Sequence, residues 1–264
     1  MSTPSTATRW DPSLVSAELL SLTRLLGDPD RDLVILAEGN TSQLLNDGRV
    51  VVKTSGSGMA RATAEDFAVV DTGRVLDLLR DPAATQEDLS AALDAGEHAG
   101  RRRRASIETP VHVAARAVEA VEFVGHTHPT AVTGLLAGRH AARAWESFAY
   151  SDEAVVLGRP LFVPYAQPGI DLGRDYLAAV ARHADRYGEL PRLVLLGNHG
   201  IVVNAPTAEA VDAITRMTVK AALVRLAAAA AGGVRPLPAD SVASFFARSD
   251  IADRSRALRG GTRP

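Results

Sequence analysis

Short apolar runs alternating with stretches of helical period constrain this chain more than any other feature. "VVVK" from Val50, "VEFVGHTH" from Val121, "RPLFVPY" from Arg159, "RLVLLGNHG" from Arg192 and "IVVNA" from Ile201 are brief and flanked by turn-forming or polar residues, as strands are. "LVILAEGNTSQLLNDGRVVVKTSG" reads as strand, turn, strand, with Asn46-Asp47-Gly48 as the turn. Helical spacing runs from Ser13 to a stop at Gly27, and it returns in the second half of "AEDFAVVDTGRVLDLLRD" and in "TQEDLSAALDAG". It appears again in "TPVHVAARAV", where Pro110 suits a first turn, in "DLGRDYLAAVARHADRYG", and from about Thr207 to Gly232-Gly233. Interleaving of this kind predicts an α/β layer architecture with a mixed sheet.

A chain of 264 residues suggests one core with terminal additions. The expected divisions are a loose tail over 1–12, a domain over 13–233, and a C-terminal extension over 234–264 made of a loop, a final helix and a frayed end. The 29 basic and 31 acidic side chains nearly cancel, which gives no general case for nucleic acid or an anionic membrane. No basic-then-apolar leader opens the sequence and no apolar stretch reaches spanning length, so a soluble cytoplasmic protein is expected. Cysteine is absent, which excludes disulfides, a thiolate nucleophile and cysteine-ligated metal. Any metal must therefore be held by histidine and carboxylate.

Side chains two apart on a strand share a face, so His126 and His128 project together from "FVGHTHP". They could share one divalent ion, given a further protein ligand; alone, the pair reads equally well as polar residues closing a strand. His199 follows another apolar run in "LLGNHG", as a ligand or as part of a tight turn. Glu108 stands near a helix start, either as a dipole-stabilising residue or as a fourth ligand or base beside an ion. His112, four residues on, shares its helix face and reads either as a residue that orients the carboxylate or as an outer partner of the metal site. His98 and His183 read as solvated surface residues, His140 as loop, and Arg101 to Arg104 as a solvated charged run or a lure for anions. "EGNTS" and "KTSGSG" read as two loops that each end a strand and offer N–H groups and hydroxyls to an anion. Neither has the pattern of a nucleotide-binding glycine loop.

Taken in order, "EGNTS", "KTSGSG", "SIETPVH" with "VGHTHP", and "LLGNHG" resemble the class II aldolase/adducin family over roughly Leu33 to Asn204. The resemblance implies a single three-layer αβα domain whose central mixed sheet is largely antiparallel. It implies a divalent metal, most often zinc with manganese or iron as alternatives, on Glu108, His126, His128 and His199. It further implies an anion pocket at Gly39, Asn40, Ser42, Thr54, Ser55, Gly56 and Ser106, with Ile107 in place of a second serine. A tyrosine, Tyr165 or Tyr150, would assist at the aldehyde oxygen, and Tyr165 also reads simply as a strand-end aromatic. The activity implied is reversible aldol cleavage of a ketose or ketose phosphate through a metal-stabilised enediolate, with Glu108 as acid/base, in a homotetramer. Epimerase, dehydratase, decarboxylase, non-heme iron oxygenase and a non-catalytic adducin-like module are the alternatives.

Overall fold

The computed structural model describes residues 8–257. Its strands are β1 (Thr8–Arg9), β2 (Asn40–Leu44), β3 (Val50–Lys53), β4 (Phe67–Val70), β5 (Asp94–His98), β6 (Arg101–Arg104), β7 (Phe123–Thr127), β8 (Leu161–Val163), β9 (Leu193–Leu196) and β10 (Gly200–Ala205). Its helices are α1 (Ala17–Leu26), α2 (Thr72–Arg80), α3 (Gln86–Ala92), α4 (Thr109–Arg116), α5 (Thr130–Leu136), α6 (Ser151–Leu157), α7 (Ile170–Tyr187), α8 (Ala208–Ala230), α9 (Ala239–Phe246) and α10 (Ser249–Ala257). Eight strands form one sheet in the order β1-β4-β3-β2-β7-β10-β9-β8. Every pairing in it is antiparallel except β8 with β9, so the expected mixed, largely antiparallel sheet is present.

Period-2 alternation divides the core between the two faces of this sheet. Val50, Val52, Val124, Val194, Leu196 and Val202 meet one helical layer, which contributes Val75, Leu89, Val111, Leu172 and Tyr176 from α2, α3, α4 and α7. Val51, Phe123, Leu193, Leu195, Ile201 and Val203 meet the other, with Leu19, Leu22 and Leu26 of α1, Val132 of α5, Leu157 of α6 and Val211 of α8. Cover on both faces explains why the strands read as nearly continuous apolar runs. Each such leucine contributes roughly 1.5–3 kcal/mol relative to exposure. Glycine is needed at position 125 in mid-strand, because a Cβ there would stand 2.7 Å from Val211 Cγ1. The bare backbone lets α8 lie directly on β7.

Several boundaries depart from expectation. Residues 33–39 form turns rather than a strand, and β2 begins only at Asn40, so "EGNTS" opens a strand instead of ending one. The tail expected over 1–12 is structured in its second part: Thr8 and Arg9 pair with Val70 and Val69, and a short 3-10 turn spans Pro12–Leu14, while 1–7 lie outside the described residues. Helix α1 starts only after Ser16, whose hydroxyl accepts from the Leu19 N–H. The C-terminal extension holds two helices, not one. The basic run forms strand β6, with Arg101, Arg102 and Arg104 exposed as a solvated charged run would have them and Arg103 the exception. Its Arg103 is buried beside Glu65, Asp66 and the Trp10 ring, where tertiary partners override a sequence without apolar alternation. His183 is likewise buried, its ring tilted against Tyr187 at 4.8 Å between centroids, rather than solvated.

Candidate metal centre

Three ends of secondary structure converge on one point. His126 sits in β7 between β2 and β10, paired with Asn40 on one side and Val202 on the other. His128 lies just past the strand. His199 occupies the β9–β10 turn, closed by its own N–H on the Leu196 carbonyl (3.2 Å), with Asn198 taking a positive φ of 53°. Gly200 makes the approach feasible, since a Cβ there would lie 2.5 Å from Thr127 O and 2.6 Å from His128 Cδ2. Glu108 is the N-cap of α4 yet caps nothing with its side chain, which turns toward the histidines instead.

The four predicted ligands are brought together, one ligand atom from each lying within 4.8 Å of every other. Glu108 Oε1 is 2.7 Å from His199 Nε2 and 3.1 Å from His126 Nε2, and His126 Nε2 is 2.8 Å from His128 Nε2. The His126 Nδ1–H donates to the Ile201 carbonyl (2.8 Å), which leaves its Nε2 lone pair facing the cluster. His128 and His199 can each donate from Nε2, to His126 Nε2 and Glu108 Oε1, but the His126 Nε2–Glu108 Oε1 contact then sets acceptor against acceptor, which a shared cation, proton or metal, reconciles. Four atoms bound at about 2.0–2.1 Å to one tetrahedral ion stand about 3.3 Å apart; the three contacts at 2.7–3.1 Å lie within tenths of that, and the widest separation, up to 4.8 Å, closes onto one ion by an adjustment of about 1.5 Å. The donor set, three imidazoles and a carboxylate, suits zinc, manganese or iron.

Burial opposes charge on Glu108, but His126 and the hydrogen bonds from His126 and His199 outweigh it and hold the carboxyl well below its usual range. Burial alone would lower His126; the Glu108 charge wins and raises it. His128 is pushed down to about 3, by burial first and then by His126, so its imidazole is neutral and able to ligate. His128 and His199 open into a cleft of about 570 Å³ whose rim includes Glu38, Ile35, Thr133 and Asn198. A larger cleft of about 800 Å³, between Trp145, Phe162, Tyr187 and Arg182, contains none of the four.

The residues expected to cradle an anion divide into two groups. Asn40 is buried, donating from Nδ2 to Glu108 Oε2 (2.8 Å) and Ser106 Oγ (3.0 Å), and its Oδ1 contacts His112 Nε2. Ser42 is buried against His112 Nδ1 (2.8 Å) and Arg116 Nη1 (2.9 Å). Both side chains are therefore committed to protein partners and correct the expectation that they face an anion. His112 meets Asn40, which in turn donates to Glu108; no direct hydrogen bond joins His112 to the carboxylate among the described residues. Gly39 is packed under the strand, with His126 O only 2.8 Å from where its Cβ would be. Thr54 is buried and donates to the Asp66 carbonyl, whereas Ser55 and Gly56 are exposed. The Ser55 hydroxyl accepts from the Ile107 N–H (3.3 Å) and Ser106 N donates to the Lys53 carbonyl, which brings the "KTSGSG" turn against the Ser106-Ile107 segment that leads into Glu108.

Lys53 was not foreseen. Its ammonium is buried, donates to the Thr54 and Ser57 carbonyls, and is pushed down to about 8 by burial against the opposing charges of Asp66 and Glu108. A lysine ending the "VVVK" strand was the available signal. The two tyrosines lie apart from the cluster. Tyr150 directs its hydroxyl to Met217 Sδ, and Tyr165 is 59% exposed, with its backbone N lying against Gly197.

Residues 17–226 match the family model for the class II aldolase and adducin N-terminal domain. Among solved structures, YgbL from Klebsiella pneumoniae, described as a putative aldolase/epimerase/decarboxylase, superposes with TM-score 0.62 at 20% identity, covering 89% of this chain and 98% of its own. An l-fuculose-1-phosphate aldolase from Thermus thermophilus gives 0.57 at 19%, covering 84% and 100%. A class II aldolase domain from Thermoplasma acidophilum gives 0.59 at 21%, covering 78% and 91%. No curated protein sequence matches the chain. At these identities the superpositions establish the fold.

Proposed function

The chain belongs to the class II aldolase and adducin family, and from that premise we propose that it is a divalent-metal-dependent lyase performing reversible aldol cleavage of a ketose or ketose phosphate. One observation carries the reading: the complete set of Glu108, His126, His128 and His199 converges beneath an open cleft. A non-catalytic module of the same family would have no need of it. In this reading the four residues hold one ion, zinc first among candidates. Bound there, such an ion would supply Lewis-acid polarisation of a substrate carbonyl and offset negative charge developing at that oxygen.

The chain's own residues do the rest. The Ile201 carbonyl fixes His126 with Nε2 toward the cluster. The wall made by β7 and the β9–β10 turn keeps water from the buried side of Glu108, which is 8% exposed. Glu108 Oε1, the oxygen that faces the histidines, is placed to take a proton from one substrate atom and return it to another. Ser55, Gly56 and Ser106 are the proposed anion contacts, with Gly39 and Thr54 shaping the turns behind them. Tyr165, exposed on the surface beside the His199 turn, would serve the cleft of a neighbouring copy, in keeping with a homotetramer. No described helix is long and apolar enough to cross a membrane.

A panel of phosphorylated and unphosphorylated ketoses and 2-oxo acids, incubated with the zinc, manganese and iron forms, tests the proposal. Metal-dependent release of an aldehyde is the expected result. Carbon dioxide release without aldehyde, or epimerised substrate alone, would replace the lyase reading by decarboxylase or epimerase.

A further inference from the structure

The polar contacts behind Glu108 form one chain whose direction is determined by chemistry at both ends. Arg116 can only donate, and its Nη1 reaches Ser42 Oγ at 2.9 Å. The carboxylate of Glu108 can only accept, so the Asn40 atom at 2.8 Å from Oε2 is its amide nitrogen. Asn40 Oδ1 consequently faces His112 Nε2, which must carry the proton. His112 Nδ1 is then a lone pair, and the Ser42 hydroxyl, already accepting from Arg116, donates to it across 2.8 Å. Nothing in the chain is left to choose. The ring is fully buried, and burial foremost, then the Arg116 charge, holds it well below its usual range, so it is neutral.

We propose that His112 is a positioning residue, locked by Ser42 and Arg116 as the Nε2–H tautomer so that Asn40 pins Glu108 Oε2 and leaves Oε1 turned to the three imidazoles. This rests on the reading of Glu108 as a ligand and acid/base. A different ring state breaks the arrangement in a definite way. With the proton on Nδ1, Nε2 and Asn40 Oδ1 would confront each other as two acceptors; the amide would then rotate and place its oxygen against the carboxylate, which would swing away from the histidines.

Two measurements on the full chain test this. Long-range proton–nitrogen correlation on histidine-labelled protein, with the His112 signal identified by its loss in His112→Gln, should show a neutral ring protonated on Nε2 at neutral pH, with and without zinc. An Nδ1–H tautomer or an imidazolium would overturn the proposal. Zinc titration against a chromophoric chelator supplies the second readout. His112→Leu should bind zinc about 10–100-fold more weakly. His112→Gln, whose amide can donate to Asn40 and accept from Ser42, should stay within about threefold. Wild-type affinity in a cooperatively melting His112→Leu would refute the positioning role, and if that variant does not fold the tautomer measurement decides. Wild-type protein that binds no zinc would refute the functional reading while leaving the tautomer result to stand or fall alone.

Discussion

Two buried clusters of charge lie in this molecule, and they are built to opposite rules. Glu153 and Arg225, 1% and 3% exposed, pair directly between α6 and α8. The arginine also donates to the carbonyls of Ala144 (2.6 Å), Ala221 (3.2 Å) and Ser147 (2.8 Å) and lies over the Trp145 ring. Glu153 accepts from the Ala149 N–H at 3.0 Å. Every guanidinium nitrogen of Arg225 has an acceptor inside the protein. Around Glu108 the same accounting fails: His126 Nε2, a lone pair, meets Glu108 Oε1 acceptor to acceptor, and His199 Nδ1 is buried without a partner. A self-neutralised cluster holds helices together, whereas a cluster that wants a cation is a site.

Substitutions should separate the two. Glu108→Gln is expected to lower turnover by about 10²–10⁴-fold while retaining zinc and the wild-type melt, as read by kinetics, elemental content and calorimetry. Wild-type turnover would remove Glu108 as the acid/base. Arg225→Ala should do the reverse, costing about 3–5 kcal/mol in denaturant unfolding because Glu153 is left unpaired, with zinc affinity unchanged.

Lys53 falls between these cases, a buried cation with carbonyl partners and carboxylates only at a distance. Its folded pKa, about 8, lies below the 10.5 of an ordinary lysine. Between those values the unfolded chain binds more protons, so this group makes stability rise with pH through that window; below about 8 both states are protonated and the full penalty applies. At 1.36 kcal/mol per unit the penalty is of the order of 3 kcal/mol. Lys53→Met should flatten the slope of unfolding free energy across that window, and an unchanged slope would contradict the assignment. The smallest effect is expected at Glu38, part-exposed and 3.6 Å from His128 Nδ1. Glu38→Gln should weaken zinc binding by no more than about threefold in the chelator titration, in line with the small worth of an exposed ion pair.

The three histidines drew notice in the sequence because each lies at or just past the end of an apolar run, His126 and His128 by two-residue alternation and His199 by the glycines on either side of Asn198-His199; the family resemblance, not local pattern, joined them with Glu108 into one ligand set. The sheet was legible wherever a strand was all apolar. Other features depended on register. Whether Asn40 and Ser42 face an anion or the interior is decided by the pairing of β2 with β7 and by α4 crossing behind, information no single segment carries. The β5–β6 hairpin was illegible because Asp94–His98 and four arginines have no apolar period; its contacts come from Trp10, Glu65 and Asp66 elsewhere in the chain. β4 was hidden because "FAVV" runs straight into the capped helix α2, whose Asp71 accepts from Gly73 and Arg74 N–H groups.

The difference between the two clusters reduces to whether one of them holds a metal. Elemental analysis of wild-type protein purified without added metal, beside His126→Ala, tests that most directly. About one equivalent of a divalent transition metal per chain in the wild type, lost in the variant, is the predicted result. Less than about one tenth of an equivalent in wild-type protein that also fails to take up added zinc would contradict it.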